Sequence, residues 1–317
     1  MPEPLLSVVV STHNRPAPLA RLLAGLREQA LAHERFEVIV VDDGSVGPGT
    51  RTVLADELGR GTLRLRTVNH QVAQGPASGR NSGWRAAQAP LIAFTDDDCV
   101  PDAGWLSAAL AASGRHPGAI IQGRTEPNPT ELWCRGVFTR TVSVDTLGPH
   151  YETCNIVYPR AVLESLGGFD EAYGPRPTAE DTDLAWRAIE TGCATVFAPD
   201  AVVFHAVEEL GVRGSLSVAS RWGPAVRVFA AHPQLRATLE RQVFWNVWHY
   251  LVWRSLLALV APHWLRRMIL TMHLLELRKR ARLAGAGAWA VPFLLVHDLV
   301  ECWAVARGAV RHRTLVL

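Results

Sequence analysis

Three apolar runs in the first hundred residues each end in a polar cluster, and this pattern restricts the fold more than any other feature of the chain. Residues 7–10 form a short β-branched run followed by Ser11, Thr12, His13, Asn14, Arg15 and Pro16. Residues 36–41, "FEVIVV", lead into Asp42, Asp43, Gly44 and Ser45, and "LIAF" at residues 91–94 leads into Thr95 and three aspartates, Asp96, Asp97 and Asp98. Continuous apolar runs of this length read as strands covered on both faces. Between them Leu19, Leu22, Leu23 and Leu26 recur at helical spacing, residues 50–58 repeat the pattern, and "GPASGRNSG" at residues 75–83 leads into a helix through Trp84. A further strand is expected over residues 63–68. Alternating strand, polar loop and helix predicts a parallel or mostly parallel sheet with helices on both faces. Ligands of such sheets sit at the carboxyl ends of the strands, so the clusters after the first, second and fourth strands are expected to meet in one crevice.

The aspartate triplet is costly where it stands. Neighbouring like charges repel, and burial penalises each ionised form, so a positive partner is expected there. On an extended strand end, Asp96 and Asp98 point the same way and Asp97 points elsewhere. Two hard oxygen donors at that spacing suit Mg²⁺ or Mn²⁺ bound together with substrate phosphates.

Beyond residue 101 the pattern loosens, with turn-rich stretches at residues 126–129 and 174–177, a helix over residues 180–190 and a strand over residues 201–205. Thr178 can cap that helix, and Glu180, Asp181 and Asp183 suit the positive end of its dipole. Capping alone explains only one or two of the three acids. After Glu208 the composition turns to Trp, Leu, Val and Arg in helical patterns. Expected boundaries are therefore a catalytic domain over residues 1–208, divided near residue 100, and a helical region over residues 209–317.

Five motifs, in order, resemble the family 2 glycosyltransferases, whose catalytic domain has the GT-A fold. They are "SVVVSTHNRP", "VIVVDDGS", "GPASGRNSGW", "FTDDDCVP" and "GGFDEAYGPRPTAEDTDLAWRAIETG", spread over residues 6–205. The resemblance implies a Rossmann-like, mixed but mostly parallel α/β sheet and an inverting, metal-dependent transfer from a nucleoside-diphosphate sugar to a hydroxyl. It implies that Ser11 and Asn14 line the nucleotide pocket and that Asp43 accepts from the base. Arg80 would approach the nucleotide, Asp96 and Asp97 would lie at the nucleotide sugar, and Asn155 would lie near the donor sugar. Asp98, Asp96 and His205 would hold Mg²⁺ or Mn²⁺. Asp181 would be the catalytic base, with Glu180 in reserve. Donors are expected among UDP, dTDP and GDP sugars.

Other classes fit poorly. The net charge of +2 argues against nucleic acid as the main partner. Lys279 is the only lysine, so the lysine-bearing loops of sugar nucleotidyltransferases and P-loop enzymes have no counterpart. Five scattered cysteines without a C-x-x-C pair suit a reducing cytosol, and the start of the chain carries no signal-peptide pattern. A non-catalytic nucleotide-sugar-binding scaffold is the alternative, disfavoured by intact Asp96, Asp98 and Asp181. Residues 243–283 are apolar, tryptophan-rich and then basic, broken by His249, Arg254 and Pro262. This composition reads as helices that touch an anionic membrane surface, a second subunit or the catalytic domain, and not as a span.

Overall fold

The computed structural model describes residues 3–176 and 178–317. Met1, Pro2 and Pro177, the last of these in the turn-rich stretch at residues 174–177, lie outside the described residues. The chain divides into two compact units, Thr141–Ala206 with everything up to Thr130, and Glu131–Arg140 with Val207–Leu317.

The first unit opens as β1 (Leu6–Thr12), α1 (Pro16–Arg27), β2 (Phe36–Asp42), α2 (Gly49–Arg60), β3 (Leu65–Asn69), α3 (Pro76–Ala86) and β4 (Leu91–Phe94). It continues with β5 (Cys99–Pro101), α4 (Trp105–Arg115) and β6 (Ile120–Pro127). The second unit contributes β7 (Thr139–Arg140), after which β8 (Ile156–Pro159), α5 (Arg160–Leu166), α6 (Glu180–Glu190) and β9 (Thr195–His205) complete the first. Eight strands form one mixed sheet in the order β3-β2-β1-β4-β8-β6-β9-β5. β3, β2, β1 and β4 run parallel; β8 opposes both β4 and β6, β9 runs with β6, and β5 opposes β9 at the edge.

Why the first runs lack alternation is now plain. Val8 and Val10 of β1 join one core with Leu19, Leu22, Leu23 and Leu26 of α1, while Val9 points to the opposite core with Trp84 and Phe94. Each side chain so buried is worth roughly 1.5–3 kcal/mol, which a period-two strand would gain on one face only. The register Val9↔Phe94 and Thr12↔Asp42 sets the carboxyl ends of β1, β2 and β4 side by side.

β9 begins earlier than the strand expected over residues 201–205. Pro199 and Asp200 read as a break, but they occupy a bulge: Gly123 pairs with Ala198 and Arg124 with Val202, so the intervening residues loop out, exposed at Pro199 and Asp200. A bulge is where a proline survives inside a sheet.

The second unit adds β10 (Glu208–Glu209), paired antiparallel with β7, then α7 (Gly211–Ser220), α8 (Arg227–Ala231), α9 (Val247–Ala258), α10 (His263–Leu283) and α11 (Ala290–His312). Asn246 caps α9 by accepting from the Trp248 and His249 amides, and Pro262 stands immediately before α10. Buried polar pairs join the last three helices: Ser255 with His273, His249 with Glu301, and Arg280 with Asp298. No helix among the described residues is long and apolar enough to cross a membrane.

The glycines of "GPASGRNSG" let α3 lie close on the sheet. A Cβ at Gly79 would strike Ser11, and one at Gly83 would strike the Val9 side chain and approach Val41 Cγ2 to 3.2 Å. Helix propensity alone makes Gly83→Ala worth about 1 kcal/mol of added stability. Overpacking of a stiff buried valine costs about 1–3 kcal/mol, so the expected net effect is a lower urea midpoint. A midpoint equal to or above that of the unmodified chain would contradict this packing.

Candidate active site

Past Phe94 the chain leaves the sheet: Thr95 and Asp96 are irregular, Asp97 and Asp98 form a turn, and the Cys99 amide donates to the Asp96 carbonyl at 3.1 Å. The strand alternation expected to bring Asp96 and Asp98 together therefore does not operate. Asp97 and Asp98 instead share a partner. Arg15, on the loop after β1, reaches Asp98 Oδ2 at 3.0 Å and Asp97 Oδ1 at 3.4 Å, while Thr12 Oγ1 donates to Asp97 Oδ2 at 2.7 Å. Burial pushes the Asp97 carboxyl up to about 7, against the opposing pull of Arg15, with Asp98 adding to the rise and the Thr12 hydrogen bond opposing it.

Asp96 faces the other way, toward Arg80. That guanidinium is buried and forked, with Nη2 donating to Asp96 Oδ1 and Nη1 to Glu180 Oε1, each at 2.9 Å, over the Phe169 ring. Burial works against its charge, yet Asp96, Glu180 and Asp181 outweigh that and raise its proton affinity above the ordinary arginine value. The resemblance placed Arg80 at the nucleotide. Both of its terminal nitrogens are engaged by carboxylates of the fold.

α6 starts at Glu180 with Ala179 at the cap, where Thr178 was expected; Glu180 Oε2 accepts from the Thr178 amide at 2.8 Å. Fully buried Glu180 is thus held at both oxygens. Half-buried Asp181 accepts only from the Thr182 amide among the hydrogen bonds described, at 2.8 Å. Burial, then the Glu180 charge, push its carboxyl well above the usual range; Arg80 pulls it back in part and Glu152 adds to the rise.

At the other end of the acidic turn, β5 pairs with β9 so that Cys99 stands opposite His205. Asp98, Cys99 and His205 offer ligand atoms all within 4.8 Å of one another, with His205 Nε2 3.7 Å from Asp98 Oδ1. His205 Nδ1 donates to the Ala206 carbonyl at 2.9 Å, which fixes the ring with Nε2 turned toward Asp98. A carboxylate oxygen and an imidazole nitrogen fit Mg²⁺ or Mn²⁺. Burial raises the Cys99 thiol, with Cys154 and Asp98 adding to the rise, and its soft sulfur suits Mg²⁺ or Mn²⁺ less well than the oxygen and nitrogen donors beside it. Asp96, bound to Arg80, stands outside this group.

The first two loops lock together. Asn14, at φ +56°, accepts from the Val46 amide through Oδ1 and donates its own backbone N–H to the Ser45 hydroxyl oxygen. Asp43 accepts from the Gln74 and Gly75 amides and from His70 Nδ1, at 2.7–2.9 Å. Three of about four acceptor positions are filled, leaving one on Oδ2. Ser11 packs on Gly79.

Asn155, expected near the donor sugar, has a different task. Its Nδ2 donates to the Arg124 and Ala201 carbonyls, at 2.7 and 2.8 Å, and its Oδ1 accepts from Trp105 Nε1. Those two carbonyls flank the β6–β9 bulge, where the ladder is interrupted. Asn155 supplies donors there, as buried carbonyls require.

Arg15, Thr12 and His70 were missed by the sequence reading. A signal existed for Arg15: adjacent parallel strands, one followed by three acids and the other by an arginine, place opposite charges side by side.

Residues 7–166 match the family described as Glycosyl transferase family 2, and residues 91–296 match Glycosyl transferase family group 2. The chain belongs to glycosyltransferase family 2. It is 29% identical over 212 residues to a pre-mycofactocin glycosyltransferase of Mycobacterium tuberculosis, 63% of this chain and 42% of that protein. It is 35% identical over 190 residues to a validoxylamine A glucosyltransferase of Streptomyces hygroscopicus subsp. limoneus, 57% of this chain and 38% of that protein. The matched part thus spans about two-fifths of these relatives. The solved mannosyltransferase PcManGT from Pyrobaculum calidifontis, in complex with GDP-Man and Mn²⁺, superposes with a TM-score of 0.61 at 20% identity, over 99% of this chain and 88% of that one. TarS 1-349 of S. aureus in complex with UDP gives 0.53 at 18% identity, over 98% and 92%. These likenesses establish the GT-A fold.

Removing Arg80 leaves Glu180 buried and unpaired, a change that costs about 3–5 kcal/mol. Arg80→Gln is expected to lose stability on that scale in equilibrium unfolding, and adding Glu180→Gln is expected to restore part of it. Additive losses in the double variant would show that the pair is not coupled.

Proposed function

We propose that this chain transfers a sugar from a nucleoside-diphosphate sugar to an acceptor hydroxyl with inversion at the anomeric carbon, aided by a divalent cation. The observation that carries this reading is the presence, in one unit, of two acidic groups in different surroundings. Asp98 stands 3.7 Å from His205 Nε2, and Asp181 stands on a helix start with its proton affinity raised. Family membership supports the reaction class, and the names of relatives and the ligands of the solved neighbours support the donor class.

Asp98 and His205 are the residues that would hold Mg²⁺ or Mn²⁺, which when bound supplies a Lewis acid for the charge building on the departing diphosphate. Asp181 takes the acceptor proton. A carboxylate whose proton affinity is raised toward neutrality is a better general base than an ordinary aspartate, and one base suffices for a direct displacement. Arg80 acts by fixing Asp96 and Glu180. The Asn14–Ser45 lock and the Asp43 turn shape the nucleotide pocket, and the remaining Asp43 Oδ2 position suits a base imide N–H.

Two outcomes follow for turnover, read as release of nucleoside diphosphate from UDP, dTDP and GDP sugars. Asp98→Ala is expected to abolish metal-dependent release and the rise in melting temperature that Mn²⁺ with the right donor produces. Unchanged release in that variant would sink the cation role, and no thermal shift with any donor would sink the nucleotide-sugar reading.

Asp181→Asn is expected to lower kcat about 10²–10⁴-fold while donor binding persists. Asp181 works only when ionised, so activity is lost as pH falls through its raised value, and the acid limb of kcat/KM is expected above pH ~4, the ordinary aspartate region. Stability runs the opposite way. A carboxyl whose folded value exceeds its unfolded one stabilises fully below the unfolded value and loses that contribution as pH rises through the folded one. Asp181→Asn is therefore expected to melt no lower than the unmodified chain at neutral pH. A variant that loses both activity and stability there would point to a structural role.

A further inference from the structure

The helical unit carries an apolar surface that its own packing does not cover. Leu257, in the last turn of α9, and Val260, just after it, are 71% and 90% exposed, and Trp264 of α10 and Trp303 of α11 are 61% and 67% exposed. On α10, Trp264, Met268, Met272 and Leu275 recur at intervals of four, four and three, so they form one stripe along the solvent side, opposite the buried His273, Leu277 and Ala281. On α11, Leu295, Leu299 and Trp303 repeat the arrangement. The two helices contact each other through Leu277, Ala281, Ala290 and Leu294, so the stripes are not each other's partners.

Charge decides what covers them. α10 carries Arg266, Arg267, Arg278, Lys279, Arg280 and Arg282 against a single acid, Glu276. Arg280 is held by Asp298 inside the unit, but the other five are exposed. Arg278, Lys279 and Arg282 continue the Trp264–Leu275 stripe toward the C-terminal end of the helix. Tryptophan and aliphatic groups bordered by cations match the interface of a bilayer with anionic headgroups, where ring and chain are buried shallowly and arginine meets phosphate. A two-fold contact between copies through α10 would bring this concentrated positive charge against itself, which disfavours it.

We propose that the α9–α11 face docks on the surface of an anionic phospholipid bilayer. A hydroxyl carried in that bilayer is the acceptor class this implies; that part rests on the glycosyl-transfer reading, whereas the docking does not.

The test is co-sedimentation of the full chain with vesicles of phosphatidylglycerol and phosphatidylcholine, beside vesicles of phosphatidylcholine alone. No sugar donor is present, so the result is independent of turnover. Binding to the mixed vesicles is expected, weakening as salt is raised, with a blue shift of tryptophan emission that is lost in Trp264→Glu/Trp303→Glu. Arg278→Gln/Lys279→Gln, which alters exposed groups only, is expected to weaken partitioning about tenfold or more while leaving the thermal melt unchanged. Absence of binding, or equal binding to both vesicle types, would overturn the proposal. So would a dimer in light scattering that the tryptophan variant dissociates and that binds no vesicles, since the face would then belong to a second copy.

Discussion

Everything at the sheet's carboxyl edge depends on how two arginines divide five carboxylates. Arg80 is inserted between Asp96 and Glu180, joining the turn after β4 to the start of α6, and Arg15 sits across Asp97 and Asp98. Neither acidic segment is tolerable alone. With both arginines in place the acids remain in excess, and among the contacts described Asp181 is the acid that neither guanidinium bonds. Charge compensation and proton affinity are thus parts of one distribution: the acids bonded to arginine hold the turn after β4 and the start of α6 in place, while Asp181 keeps a raised proton affinity.

Much of this arrangement is written in local pattern. The two-faced runs of β1, β2 and β4 announce themselves as a buried parallel block, and the polar clusters at their ends meet because parallel neighbours end on the same edge. α6 spans the residues its periodicity indicates. What could not be read is the direction of side chains beyond the last strand residue. Alternation assumes that a strand continues, and after Phe94 it does not, so Asp96 turned to Arg80 while Asp97 and Asp98 turned to Arg15. Asn155 is a similar case. A buried amide bonded to carbonyls 31 and 46 residues away in sequence, beside a bulge, is invisible to any local rule, because the bulge itself arises from the pairing of β6 with β9 and from Pro199, which reads as a break.

The helical unit shows the converse. Its composition signals helices and surface activity, but composition does not say which tryptophans face inward. Trp248 lies against Arg280 within the bundle, whereas Trp264 and Trp303 stand in solvent. The difference is set by helix phase relative to Leu277, Ala281 and Leu294, a three-dimensional fact. Buried polar pairs such as Arg280–Asp298 also fix that phase, because a rotation of either helix would strand a charge.

β5 has three residues and a single neighbour, β9, and it carries Asp98 into line with His205. Edge ladders of this size open at lower free-energy cost than the interior of a parallel block, because few bonds must break and little apolar surface is exposed. The β1, β2 and β4 end of the crevice is thus anchored in the parallel block, and Asp98, just before β5, is held through the shortest strand of the sheet, while His205 sits on the longer β9. An ion could enter or leave between those side chains by a local fluctuation, while the rest of the crevice keeps its form.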